Sequence, residues 1–215
     1  MNRGFEMKVT QVRHSGGNPV IQRGASLIMV MIILTIVSMI GIAGVQISMM
    51  SERSARNDRD YQVAWQSAEA GLMDAENDLF GPGASSRRIV FGPTLNLSAF
   101  VPDCGSAGVS RGLCELKVSA GKPAWVTANF DASGSVATTA EYGEFTGSTF
   151  TAGGPGVQPA RKPRYVMEAI PDSAGAGSES RKLGEESPKY VFRVTTMGFG
   201  PREDIQAVVQ MIYRR

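Results

Sequence analysis

The hydrophobic positions of this chain are concentrated in one long segment near the N-terminus. No charged residue occurs from Gly24 to Ser51, and the stretch Ala25–Met50 is apolar and free of proline. A helix needs roughly 20 apolar residues to cross a bilayer, and this stretch is longer. A buried helix of a soluble protein would usually carry a polar stripe over such a length. The pattern therefore predicts a membrane-spanning helix over residues 25–50.

A second pattern, with helical spacing, follows the apolar segment. Apolar residues recur every three or four positions over residues 51–80, which predicts an amphipathic continuation of the helix. We interpret this stripe as core; its members are Tyr61, Ala64, Trp65, Ala68, Leu72, Ala75 and Leu79. The charged residues between them are assigned to the polar side: Arg59, Asp60, Glu69, Asp74, Glu76 and Asp78. Gly81-Pro82-Gly83 is expected to end the helix.

The C-terminal third shows the alternation that is typical of strands. Three strands are predicted, at Tyr165–Ile170, Lys189–Met197 and Asp204–Tyr213, with an antiparallel hairpin turn at Gly198–Pro201. Two weaker candidates are Leu113–Val118 and Ala124–Ala128, and the Gly-, Ser- and Pro-rich stretches 131–163 and 172–188 read as loops. The expected fold class is α+β: a long N-terminal helix packed under a C-terminal antiparallel sheet, in a globular domain of residues 81–215.

Charge next to the apolar segment predicts its orientation. Residues 1–24 carry Arg3, Lys8, Arg13 and Arg23 against Glu6 alone, so the N-terminus is expected in the cytoplasm and the globular part outside it. A secretory signal is cleaved after its apolar region. Here the candidate cleavage point, between Gly24 and Ala25, precedes it, so residues 1–24 are interpreted as a leader whose removal leaves the helix in place. The net charge of +2 does not indicate a nucleic-acid binder.

Rare residues limit the possible chemistry. His14 is the only histidine and lies in the leader, which excludes a Ser-His-Asp triad or a His-ligated metal site from the trimmed chain. Cys104 and Cys114 predict one disulfide in an exported domain, or two free thiols in a cytoplasmic one. The acidic pairs Glu185-Glu186 and Glu203-Asp204 lack calcium-loop spacing and are interpreted as solvated charge. We therefore predict neither a catalytic, metal or cofactor site nor an enzymatic activity.

Several segments resemble the type IV pilin and pseudopilin superfamily. Gln22-Arg-Gly-Ala-Ser-Leu-Ile28 is similar to a class III signal, and Ser51–Asn57 and Ala64–Ala70 are similar to the PilX family of minor pilins. The C-terminal part from Tyr190 also resembles that family, whereas residues 81–163 are assigned by position only. The resemblance implies that a prepilin peptidase cuts after Gly24 and N-methylates Ala25.

One departure from the superfamily bears on the role of the chain. Major pilins carry a Glu at the fifth mature position, where its carboxylate neutralises a neighbouring subunit's terminal amine; here that position is Met29. An unpaired buried charge is costly, so a subunit without this Glu is expected to initiate the filament or to occupy its tip. Gln46 stands where many major pilins have a helix-kinking proline. Near it, Gly41 and Gly44 mark either a point of helix melting or a helix-packing site.

The resemblance implies a minor pilin of a type IV pilus that supports pilus assembly, twitching motility and adhesion. Its expected partners are the prepilin peptidase, other minor and major pilins and inner-membrane lipid, with no cofactor. Its expected location is the inner membrane as a single-pass protein with a periplasmic C-terminus, and then the pilus. Two alternatives stay open: a minor pseudopilin of a type II secretion system, and an adhesin that uses the Cys104–Cys114 region or the loops.

Overall fold

A computed structural model of the chain describes residues 25–81, 87–92, 94–117, 122–172 and 190–214. Its two α-helices and five β-strands in this part of the chain are α1 (Ala25–Phe80), β1 (Leu113–Cys114), α2 (Ala124–Thr127), β2 (Ala140–Glu141), β3 (Arg164–Pro171), β4 (Tyr190–Phe199) and β5 (Gln206–Arg214). Three single turns of 3₁₀-helix occur at Leu97–Ala99, Gly108–Ser110 and Gly134–Val136. The chain divides into two compact units, Met1–Glu52 and Arg53–Arg215, which are described separately below.

Some of the sequence predictions fall outside the described residues. They are the leader 1–24 with its cleavage residue Gly24, the loop after Asp172 as far as residue 188, and the acidic pair Glu185-Glu186. Pro82, Gly83, Val118 and Lys189 also lie outside the described part of the chain.

The described part of the first unit consists of helical residues 25–52 of α1. By length and composition, α1 contains a span that is apolar enough to cross a membrane, and none of that span is buried within the protein. The predicted apolar helix is therefore present.

The second unit is built on a sheet in the order β1-β3-β4-β5, with β2 also paired to β3. Strand β4 pairs antiparallel with β3 and with β5, so the predicted hairpin is present. Its turn lies between Phe199 and Gln206 and not at Gly198–Pro201, because Gly198 and Phe199 still pair within β4. Strand β1 differs from the prediction because it pairs with β3 in parallel, Leu113 opposite Met167, which makes the sheet mixed. A long connection joins β1 to β3, so no tight turn forces these two strands to be antiparallel.

Both of the weaker strand predictions were wrong, the first in its length and the second in its type. Only Leu113 and Cys114 of the first candidate form a strand among the described residues. The second candidate, Ala124–Ala128, is instead the short helix α2. Pro123 precedes α2 with φ −53°, close to the helical value, and the Ala124 side chain is buried at the start of the turn. Five residues are too few for alternation to distinguish a strand from a helical turn.

The core of the second unit forms where its part of α1 lies against the sheet. Five members of the predicted stripe are buried there: Ala64, Ala68, Leu72, Ala75 and Leu79. Strand β4 crosses this stripe at Gly198, where an added Cβ would collide with the backbone of Ala64 and Ala68. The small residues on both elements therefore allow the helix and the strand to approach closely.

The interpretation of Tyr61 and Trp65 as core was wrong, because their side chains are 48% and 41% exposed. The Trp65 indole Nε1 donates a hydrogen bond to Glu69 Oε1 at 2.8 Å. The placement of Asp74 and Asp78 on the polar side was also wrong, since both side chains are buried. The contact between α1 and β4 is made by the small residues Ala64 and Ala68, so Tyr61 and Trp65 lie outside it.

Candidate functional site

The first candidate surface is the apolar part of α1 in the first unit. Ala25 is the first residue of the helix, and the large apolar side chains from Leu27 to Met50, Met29 among them, are all between 51% and 74% exposed. An apolar surface of this extent indicates contact with lipid or with other proteins. The helix therefore provides a surface for insertion into a membrane or for packing against other apolar helices.

Polar groups in this helix are compatible with an apolar environment. No charged side chain occurs between residues 25 and 50. The Thr35 hydroxyl donates a hydrogen bond to the Ile32 carbonyl oxygen at 2.7 Å, so it is satisfied within the helix. At Gly41 and Gly44, no heavy atom lies within 4 Å of an added Cβ, so both positions are open to a neighbouring helix. The helix continues without a break through Gln46.

The second candidate surface surrounds the disulfide between Cys104 and Cys114. Both cysteines are buried, and Cys114 belongs to β1. The loop that they close is also held by backbone hydrogen bonds, from Gly105 to the Leu113 carbonyl at 3.3 Å and from Gly112 to the Gly105 carbonyl at 3.1 Å. Asp103 and Cys104 have φ angles of 58° and 65°, in the left-handed region that few non-glycine residues adopt. The disulfide thus fastens an irregular loop to the edge of the sheet.

A buried polar network lies between α1 and the rest of the second unit. Asp74 accepts hydrogen bonds from the Gly143 amide at 2.8 Å and from the Thr146 hydroxyl. Asp78 pairs with Arg87, with 3.2 Å between Oδ2 and Nε, and accepts a 3.2 Å hydrogen bond from the Tyr165 hydroxyl. Two carboxylates one helical turn apart therefore connect α1 to the loop that follows β2 and to β3.

Burial controls the electrostatics of this network. Desolvation lowers the pKa of Arg87, and Asp78 opposes that effect. Desolvation raises the pKa of Tyr165 well above its usual value, and Asp78 adds to the shift. The Arg87 guanidinium also lies over the ring of Phe145, with its central carbon 3.4 Å from the ring centroid. Helical periodicity did not predict this network; the signal for it was two aspartates four residues apart beside Ala75 and Leu79.

The described residues contain no group of three or more His, Cys, Asp or Glu side chains that could hold a metal ion. The interactions described above are packing contacts, ion pairs and a covalent cross-link.

Comparison with protein families gives two matches that together reach from residue 23 to the last residue. A family model described as PilX N-terminal matches residues 23–72. A second model, described as Type IV pilus assembly protein PilX C-term, matches residues 51–215. The chain belongs to the PilX family of type IV pilus assembly proteins. No curated protein and no solved structure matches it.

PilX membership confirms the resemblance found in the sequence and extends it to residues 81–163, which had been assigned by position only. The PilX N-terminal match covers the apolar helix and most of its amphipathic continuation. The C-terminal match includes both cysteines, the buried polar network and the whole sheet. Both candidate surfaces are therefore parts of a pilus assembly protein.

Proposed function

We propose that this PilX-family protein is a minor pilin that enters the pilus through the apolar helix at residues 25–50 and initiates the filament or occupies its tip. The observation that carries the proposal is the exposed, uncharged surface of that helix, which begins at Ala25. Such a surface fits the inner membrane before assembly and a bundle of pilin helices after it. Residues 81–215 then form the periplasmic and later extracellular domain, and support of twitching and adhesion follows from assembly.

The proposed maturation step is cleavage between Gly24 and Ala25 by a prepilin peptidase, followed by N-methylation of Ala25. The basic residues of the leader support a cytoplasmic N-terminus, because positive charge is retained on that side. Cleavage removes this charge and gives the helix a terminal amine at Ala25. Met29 has no carboxylate to pair with the terminal amine of a neighbouring subunit. This supports a position at the end of the filament, where no neighbouring amine has to be neutralised by this chain.

Mass spectrometry of the N-terminus of the membrane-extracted protein tests the maturation step. Wild-type protein is expected to begin at N-methyl-Ala25, and the Gly24→Ala variant is expected to keep its leader. A wild-type chain that still begins near Met1 would make the protein an ordinary signal-anchored one and would contradict the proposal.

Electron microscopy with immunogold labelling tests the position in the filament. Label is expected at filament ends, and Met29→Glu is expected to spread it along the shaft because it restores the missing carboxylate. Met31→Glu, a matched change on the same exposed helix, is the control and is expected not to do so. Even labelling of the wild-type protein along filaments would contradict the tip position.

A deletion strain tests which machine the protein serves. We expect loss of surface pili and their restoration by the wild-type gene. The family description names pilus assembly, which favours the pilus over a type II secretion system. Normal piliation together with lost protein secretion would reverse that choice. Normal piliation together with lost adhesion would favour an adhesin instead.

A further inference from the structure

A polar cavity of about 360 Å³ lies in the second unit. Its walls come from four separate parts of the chain: Arg111, the stretch from Gly134 to Thr139, the turn at Glu141–Ser148, and Lys162 with Arg164 at the start of β3. Nothing in the assembly role described above uses this cavity.

Two buried hydrogen-bond donors belong to residues that line the cavity and have no partner in the described part of the chain. Thr139 is only 1% exposed and Arg164 only 3% exposed, yet Thr139 Oγ1 and Arg164 Nε make no hydrogen bond to any described residue. Leaving a buried polar group without a hydrogen-bond partner is unfavourable, and more so when the group is charged. Two such groups in one cavity indicate that a ligand supplies the missing acceptors.

The rest of the Arg164 guanidinium is already fixed by the protein. Nη2 donates to Glu141 Oε2 at 2.9 Å, and Nη1 donates to the Ala132 carbonyl oxygen. An arginine side chain has donors only, so the remaining Nε–H requires an acceptor. Two of the five N–H groups therefore hold the guanidinium in place, and the Nε–H is left for a ligand.

The two acidic side chains of the cavity already accept hydrogen bonds or form ion pairs within the protein. Glu144 accepts from Arg111 through Oε1 at 2.9 Å and from the Glu141 amide through Oε2 at 3.1 Å. Glu141 is shared between Arg164 and Lys162, whose Nζ lies 3.3 Å from Oε1. The cavity thus holds three cationic side chains and two carboxylates, which leaves one positive charge uncompensated.

From these features we propose that the cavity binds a carboxylate group, which accepts hydrogen bonds from Thr139 Oγ1 and Arg164 Nε and is neutralised by Lys162. A carboxylate carries one negative charge, which matches the uncompensated positive charge, and it has acceptor oxygens only. A cation would be repelled by that charge. The volume exceeds that of a lone carboxylate and accommodates an acidic side chain with part of its backbone. The group comes either from an acidic residue of another protein or from a small free carboxylate.

Binding is tested with the full-length protein extracted in detergent, by calorimetric titration at constant ionic strength. The probe is N-acetylglutamate α-amide, and its uncharged counterpart is N-acetylglutamine α-amide. Saturable binding of the charged probe alone is expected. Equal binding of both probes, or no binding of either, would overturn the proposal, because the two donors would then be satisfied by water.

Variants assign the binding to these residues. Thr139→Val and Lys162→Gln are each expected to weaken binding of the charged probe on the order of tenfold, since each removes one interaction with the carboxylate. Lys117→Gln, which alters a lysine paired with Asp103 outside the cavity, is the matched control and is expected to bind normally. Thr139→Val removes a hydroxyl without a protein partner, so the free variant is expected to unfold at the same urea concentration as the wild type or higher. Unchanged affinity in Thr139→Val would overturn the assignment.

The source of the carboxylate is distinguished in cells with a photo-cross-linking amino acid in place of Tyr142, which lines the cavity. A covalent adduct whose partner peptide contains Asp or Glu, and which is lost in Lys162→Gln, supports a protein source. Retained probe binding without an adduct supports a small free carboxylate. An adduct whose partner peptide lacks acidic residues would overturn the proposal. Because the binding experiment needs no filament, its result is independent of whether the minor-pilin proposal holds.

Discussion

The carboxylate of Asp78 and the guanidinium of Arg87 form an ion pair that is fully removed from water, with both side chains 0% exposed and 3.2 Å between Oδ2 and Nε. Asp78 belongs to α1, whereas Arg87 follows the end of that helix and also lies over Phe145. The pair therefore holds Arg87 against the helix, and Tyr165 links it to the sheet.

Removing one partner of this pair is expected to destabilise the second unit strongly. Asp78→Ala should lower the free energy of unfolding by about 3–5 kcal/mol, because it leaves the Arg87 charge buried without its carboxylate. Urea unfolding of the detergent-extracted protein, followed by tryptophan fluorescence, measures the change.

An exposed ion pair on the same helix provides the control. Asp60→Ala disrupts the pair with Arg59, whose side chain is 55% exposed, so its cost should stay below about 1 kcal/mol. The double replacement Asp78→Leu with Arg87→Met should recover most of the lost stability, since it removes both charges together. If Asp78→Ala and Asp60→Ala lower the free energy of unfolding by similar small amounts, the buried pair stabilises the protein no more than the exposed pair does.

The disulfide between Cys104 and Cys114 is expected to stabilise the second unit by about 3 kcal/mol, the chain-entropy value for a loop of this length. Reduction by dithiothreitol should lower the urea midpoint of the wild type by the corresponding amount. The variant Cys104→Ser with Cys114→Ser should begin at the lower midpoint and should not respond to the reductant. If dithiothreitol lowers the urea midpoint of that variant too, its effect on the wild type does not come from reduction of this disulfide.

The sequence predicted the long periodic elements and missed what depends on distant partners. The uncharged run from Ala25 and the alternation in β3, β4 and β5 are local signals, and those elements were predicted almost at their observed bounds. Asp74 appeared polar and exposed because the groups that bind it, Gly143 and Thr146, lie about seventy residues away. Periodicity also placed Trp65 in the core, since it does not show which members of the stripe the sheet covers; those buried are Ala64, Ala68, Leu72, Ala75 and Leu79.

The candidate sites divide in the same way. The disulfide was predictable because the chain has only two cysteines. The apolar part of α1 was predictable because no charged residue occurs from Gly24 to Ser51. The polar cavity was not, because Thr139 becomes a neighbour of Lys162 and Arg164 only when β2 pairs with the start of β3.

The close approach of β4 to α1 predicts a specific sensitivity at Gly198. Gly198→Ala is expected to destabilise the protein by about 1–3 kcal/mol, because its Cβ would meet the backbone of Ala64 and Ala68, neither of which can move aside locally. Gly154→Ala is the control, since the atoms nearest to its Cβ would belong to the side chain of Gln158. Both are measured by urea unfolding, and equal effects would contradict the close contact.

Burial of the Tyr165 hydroxyl predicts a loss of stability at alkaline pH. In the unfolded chain this group ionises near pH 10, whereas burial, with Asp78 and Asp74 adding to it and Arg87 opposing it, raises its pKa well above that value in the folded protein. Above pH 10 the unfolded state therefore binds fewer protons than the folded state, so the contribution is complete below pH 10 and is lost as the pH rises further. One such group gives a slope of up to about 1.4 kcal/mol per pH unit.

Tyr165→Phe separates this effect from the other titrations of the chain. At pH 8 the variant is expected to be less stable by about 1 kcal/mol, because it lacks the hydrogen bond to Asp78. Above pH 10 it lacks the ionisation that favours unfolding, so the difference between the two proteins should shrink and then reverse. Urea unfolding at a series of pH values measures this difference. If the free energies of unfolding of the two proteins differ by a constant amount from pH 8 to pH 11, Tyr165 has the same pKa in the folded and unfolded states. That result would contradict the burial of Tyr165 beside the Asp78 ion pair.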